Sequence, residues 1–116
     1  MKRDALPLLA ALSASIAIAA GAFGAHGVQP PASDWLRTGG LYQLVHAVAA
    51  LAVAPLHRAS AWLLLIGAAI FGFSLYAMAL GAPRLLGAVT PIGGALMIAG
   101  WLLLSLRLAR SERRHR

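Results

Sequence analysis

The sequence predicts an all-α fold, a four-transmembrane-helix bundle with N and C termini both cytoplasmic, and three observations carry that reading. Hydrophobic residues make up 60% of the chain and charged residues 11%, against roughly half and a quarter in ordinary soluble domains. The apolar residues gather into four runs, each near the ~20 helical residues that cross about 30 Å of hydrocarbon. Basic residues flank those runs, most densely at Arg107, Arg110, Arg113, Arg114 and Arg116. Lys2, Arg3, Arg58 and that cluster fall on one side, and only Arg37 and Arg84 on the other. Positive charge collects on the cytoplasmic side, which places both ends there.

Composition also removes several function classes. Cysteine is absent, so disulfides, thiolate metal sites, iron–sulfur clusters and covalent c-type haem are excluded. The three acidic residues are Asp4, Asp34 and Glu112, and none lies inside an apolar run. A net charge of +7 suits nucleic acid when it forms a patch. Here its position assigns it to orientation and to anionic lipid headgroups, leaving no nucleic-acid partner.

Taken in order, residues 1–116 read as a single membrane domain with helices over about 5–26, 33–56, 60–81 and 85–108 and a basic cytoplasmic tail over 109–116. Lys2 and Arg3 ahead of an apolar run also describe a secretory signal peptide, with Ala17-Ile18-Ala19 or Ala20-Gly21-Ala22 as cleavage site. The run is longer than a signal core, however, and Ala10, Ala14, Ala17, Gly21 and Gly24 recur every three or four residues as a packing face. A discarded segment needs no such face, so the first helix is expected to be retained. Gln29-Pro30-Pro31 cannot stay helical. Ser33 or Asp34 is expected to cap the second helix and Ser60 the third. Gly81 followed by Pro83 stops the third. In the fourth, Pro91 must kink the helix or begin it, with Thr90 as its cap, and Trp101 reads as structural.

With depth counted at about 1.5 Å per residue, most polar membrane side chains fall in the outer leaflet: His26, Tyr42, Gln43, His46, Ser74, Tyr76 and Thr90. Unpartnered polar groups at membrane depth cost several kcal/mol each, so these residues are expected to face inward and meet. One reading is an interhelical hydrogen-bond network. The other is a small outward-opening pocket lined by His26, Tyr42, His46, Tyr76 and Thr90. Bis-histidine haem is geometrically conceivable between His26 and His46, whereas a metal site lacks a third strong ligand. No cofactor or metal is therefore assigned. Gly21, Gly24, Gly27, Gly93, Gly94 and Gly100 are expected to serve helix packing.

The motifs Gly21-Ala22-Phe23-Gly24-Ala25-His26-Gly27, Tyr42-Gln43 with His46-Ala47, Phe71 with Ser74-Leu75-Tyr76, Thr90-Pro91-Ile92-Gly93-Gly94 and Gly100-Trp101 occur in one order along nearly the whole chain. In that order and spacing the chain resembles the YgdD/YwdK-like family, a domain-of-unknown-function family of small integral membrane proteins. The resemblance implies a four-helix protein of the bacterial inner membrane with its first helix retained, and it brings no established activity. Gly72-Phe73 departs from the small residues expected before Ser74 and narrows helix contact there.

Three functions compete on these grounds. A non-catalytic structural, assembly or partner-binding role fits the small-residue faces, with the bilayer and another membrane protein or a homo-oligomer as partners. A binder or transporter of a small hydrophobic molecule such as lipid, quinone or haem is the alternative; proton-coupled export lacks an intramembrane carboxylate. Catalysis is the least supported, because no hydrolase elbow, phosphate loop or zinc-protease pair occurs.

Overall fold

A computed structural model describes residues 4–115, so Lys2, Arg3 and Arg116, on which the charge reading drew, lie outside the described residues. Four α-helices follow one another: α1 (Ala5–His26), α2 (Ala32–Val53), α3 (Arg58–Ala79) and α4 (Thr90–Arg114), with a 3₁₀ turn at Arg84–Ala88 before the last. Among the described residues there is no strand. α1, α3 and the segment Arg84–Arg114 are long and apolar enough to cross a membrane. α2 falls short of that on composition, because Ser33, Asp34, Arg37, Gln43 and His46 interrupt it.

The helix ends follow local chemistry, with several corrections to the sequence reading. Asp4 caps α1, its Oδ1 accepting from the Leu6 amide at 3.1 Å. α2 opens one residue early at Ala32 behind Pro31, so Ser33 and Asp34 lie inside the first turn and no side chain caps it. There the Asp34 carboxylate complements the positive helix end. α3 begins at Arg58 with His57, not Ser60, as its cap: Nδ1 of His57 accepts from the Ser60 amide at 3.3 Å. The second helix therefore ends at Val53 and not at 56. Gly81, at φ +107°, takes the left-handed conformation that ends α3. The single helix expected over 85–108 is divided. Pro91 sits in the first turn of α4, where its missing N–H leaves no bond unmade. At its other end α4 continues helically to Arg114, through the stretch read as a tail.

Each helix packs along its neighbour in sequence, α1 on α2, α2 on α3 and α3 on α4, and only a minor contact joins α1 to α3. The result is flattened, 54 × 31 × 21 Å, with α1 and α4 at opposite edges. Leu6, Ala10, Ala50, Val53, Ala61, Leu64, Leu65 and Leu104 form one apolar core at the end carrying the N-terminus. Toward the other end the contacts are made by small residues. A Cβ on Gly40 would lie 2.8 Å from the Ala17 carbonyl, and one on Gly93 only 2.5 Å from the Gly67 carbonyl. Such backbone approach is what dispersion-driven helix association in lipid requires.

Candidate functional site

The polar residues of the membrane-depth segments do not converge on one pocket. They form three separate groups, and the innermost is centred on Gln43, which has no solvent exposure. Its Nε2 donates to Ser13 Oγ on α1 at 2.8 Å, and its Oε1 accepts from the Tyr76 hydroxyl on α3 at 2.6 Å. One amide thus ties three helices. Tyr76 reaches it because a helical side chain leans over the turn N-terminal to its own Cα. The ring lies over Gly72, where a Cβ would meet the hydroxyl at 3.2 Å. This contact fixes the amide orientation: reversed, Gln43 would leave the enclosed Tyr76 proton without an acceptor.

The second group joins α2 to α4. Trp101 Nε1 donates to His46 Nε2 at 3.1 Å, so that nitrogen is the acceptor and Nδ1 carries the proton, donated to the Tyr42 carbonyl at 2.8 Å. The Tyr42 ring stacks on His46 at 6.2 Å between centroids and tilts against Phe71 at 4.8 Å. Tyr42 is nonetheless 44% exposed. In the third group Ser74 Oγ donates to the Phe71 carbonyl at 2.9 Å and lies 2.6 Å from Thr90 Oγ1, joining α3 to α4. Thr90 therefore bonds across to another helix and does not cap its own.

His26 joins none of these groups. It is exposed at the last turn of α1, and the reason is helical phase. Gly24 is the residue that faces α2, in close approach to Leu36 and the Ser33 carbonyl, and two residues further is about 200° around the axis. The outward pocket of His26, Tyr42, His46, Tyr76 and Thr90 is thus not assembled, and His26 and His46 do not face each other across a haem-sized gap. Among the described residues no group of three metal-ligating side chains forms.

Of the packing glycines, Gly24, Gly93 and Gly100 make close contacts, whereas a Cβ on Gly21 or Gly94 would meet nothing within 4 Å and Gly27 caps α1. Gly39, Gly40, Gly67 and Gly72 pack closely and were missed. Ser13 and Trp101 were also missed as members of the polar groups. The signal for Ser13 lay in its seven-residue phase with Leu6 and its place between Ala10 and Ala17, all on the buried face. For Trp101 the signal was an indole N–H, which requires an acceptor when partly buried.

Outside the membrane-depth segments, Arg58 grips Asp4 with two bonds, Nη1 to Oδ2 at 2.8 Å and Nη2 to Oδ1 at 2.6 Å. This hydrogen bond, with the Leu6 amide, holds the Asp4 carboxyl below its ordinary range.

Helices of membrane-spanning length, held by buried hydrogen bonds between neighbours, define a small helical membrane protein. Comparison with known proteins gives the family: the one described as "Protein of unknown function (DUF423)" matches residues 20–94. A UPF0382 membrane protein of Staphylococcus epidermidis is 40% identical over 109 residues, covering 84% of this chain and 88% of the relative. The UPF0382 inner membrane protein YgdD of Escherichia coli is 39% identical over 119 residues, covering 92% of this chain and 91% of the relative. The chain belongs to this family of membrane proteins. No solved structure matches it.

Proposed function

We propose that this chain is a four-span protein of the bacterial inner membrane, both termini cytoplasmic, with a non-catalytic role in binding and supporting a partner within the bilayer. The observation that carries this is how the interior polar groups are used. Gln43, Ser13, Tyr76, His46, Trp101, Ser74 and Thr90 bond one another across helix boundaries, and no buried side-chain nitrogen or oxygen among the described residues lacks a partner. That commits them to holding the bundle together. α2 supports the four-span reading: it equals α1 and α3 in length, lies between them, and turns Gln43 and His46 inward. Arg58, Arg107, Arg110, Arg113 and Arg114 at one end, against Arg37 and Arg84 at the other, support the orientation.

The partner surface in this reading is the outer face of α1, an edge helix that exposes Ala11, Ser15, Ala19 and Ala22 and leaves open space beside Gly21. Reporter fusions and a purification test it. A C-terminal fluorescent fusion is expected to glow and a C-terminal alkaline phosphatase fusion to stay inactive; the reverse pattern overturns the orientation. Mild-detergent purification with mass spectrometry is expected to recover a stoichiometric membrane partner or a second copy. Gly21→Leu should leave the melting temperature unchanged and cut that recovery severalfold; equal recovery overturns α1 as the docking face.

A further inference from the structure

α4 does not stop where the bundle does. Its buried residues are Gly93, Met97, Gly100 and Leu104, and their alternating four- and three-residue spacing keeps one seam turned to α3. Leu104 is the last of them. Every residue from Ser105 through His115 is exposed, although the helix runs on to Arg114, about 15 Å further at ~1.5 Å per residue. Continued at the same spacing, the seam passes through Arg107, Ser111 and Arg114, exposed where its earlier members are covered. With Arg110 and His115 these residues line a recess of about 350 Å³. We propose that this recess seats the phosphate of an anionic phospholipid, gripped by the guanidinium groups of Arg107, Arg110 and Arg114 with the Ser111 hydroxyl as a further donor. The inference assigns one face of α4 and not the basic charge as a whole. It rests on the segment Arg84–Arg114 crossing the membrane and not on the assembly role above.

The lining selects the ligand chemistry. A guanidinium carries five N–H donors in a planar fork that pairs with two phosphate oxygens at once, and three of them meet here with a hydroxyl. None is neutralised within the chain: among the described residues the one ion pair is Asp4–Arg58. Glu112 is the only carboxylate on this part of the helix and does not line the recess; it follows Ser111 directly, which turns it about 100° around the axis. Basic residues also complement the negative C-terminal end of a helix, but that attraction fades beyond the last turn. Arg107 and Arg110 lie before that turn, so the helix end does not account for them.

Depth decides for lipid over other anions. Leu106 and Leu108, 57% and 46% exposed, flank Arg107, which sets the edge of the acyl layer at this level. The headgroup layer beyond it is about 5–7 Å thick, from a bilayer of roughly 40–45 Å around a 30 Å hydrocarbon core. Arg110 and Ser111 stand about 5–6 Å past Arg107, and Arg114 about 10 Å past it. Helical side chains lean toward the N-terminus of their helix, and for this end of α4 that direction is back toward the bilayer. The guanidinium groups therefore return to the phosphate layer, Arg114 included. A second copy of the seam would set arginine against arginine, and a soluble acidic partner would meet side chains that lean away from it.

The test is native mass spectrometry of the full chain purified in mild detergent and titrated with phosphatidylglycerol or with phosphatidylcholine of the same acyl chains. Glycerol 3-phosphate serves as the free-phosphate probe. Retention of phosphatidylglycerol in preference to phosphatidylcholine is expected, and glycerol 3-phosphate at equal concentration should not displace it. Arg107→Gln and Arg114→Gln should each weaken phosphatidylglycerol binding about fivefold, whereas Arg113→Gln, which removes the same charge from outside the recess, should change it less than about twofold. All three side chains are exposed, so the variants keep the bundle intact. Four results would each overturn the proposal: equal retention of the two lipids, which leaves the seam to an acidic protein; displacement by glycerol 3-phosphate, which makes it a site for dissolved anions; undiminished binding in Arg107→Gln and Arg114→Gln; or an equal loss in Arg113→Gln, which reduces the effect to diffuse charge.

Discussion

Among the described residues, Gln43 is the one side chain hydrogen-bonded to two helices beyond its own. Replacing it with leucine keeps the volume near but strands the Ser13 oxygen and the Tyr76 proton. Interhelical hydrogen bonds in membranes contribute roughly 1–2 kcal/mol, so Gln43→Leu is expected to destabilise the bundle by about 1–2 kcal/mol, measured by reversible unfolding in mixed micelles. The sequence showed Gln43 and Tyr76 as partners by depth but not Ser13, since counting residues locates Cα atoms. The Tyr76 hydroxyl lies about a turn away from its own Cα, which brings the network to the level of Ser13, a residue outside the polar group that depth counting picks out. His26 shows the opposite error: it stands at the right depth but on the wrong side of its helix.

At the scale of the helices, small residues decide which pairs approach. Gly93 and Gly94 are adjacent and look equivalent in sequence, yet a Cβ on Gly93 would lie 2.5 Å from both the Gly67 carbonyl and the Phe71 nitrogen, while one on Gly94 meets nothing within 4 Å. Both close neighbours of Gly93 are backbone, which cannot swing aside. Gly93→Ala is therefore expected to push α3 and α4 apart and to cost about 1–3 kcal/mol, as overpacking does. Gly94→Ala should be neutral or gain up to about 1 kcal/mol from helix propensity. Parallel melting curves of the two variants check this. Helix number was legible because apolar runs and Gly/Pro punctuation are local signals, whereas the ends of the later helices shifted by one to six residues. The division at Val89 was only half legible: Pro91 demanded a kink or a start, and α4 starts there, with Thr90 bonded across to Ser74 on α3.

Across the whole molecule, one ion pair closes the end of the bundle that carries the N-terminus. Asp4 and Arg58 lie 54 residues apart and are both well exposed, so the pair's contribution is small and screened by salt. Its pH dependence has a definite sign. The Arg58 hydrogen bond lowers the Asp4 carboxyl from its ordinary value of 3.8, so the unfolded chain binds the extra proton first. The stabilisation is complete above that ordinary value and is lost as pH falls through the lowered one. Asp4→Asn, which retains an oxygen for capping, is expected to flatten the acid limb of melting temperature against pH below about pH 4 and to leave the curve at neutral pH little changed. Differential scanning fluorimetry across pH 2.5–7 at low salt provides the measurement.

The flattened order, with each helix resting on the one before it, also sets a sequence of events. Nearly every contact joins a helix to its immediate predecessor, so the chain has no early segment that must wait for a late one before it can be covered. Helices added in the order of synthesis would each find the partner they pack against already present: α1 for α2, α2 for α3 and α3 for α4. The His46–Trp101 bond, which skips α3, needs α4 in place, so in such an order it would be the last of the interhelical bonds to close.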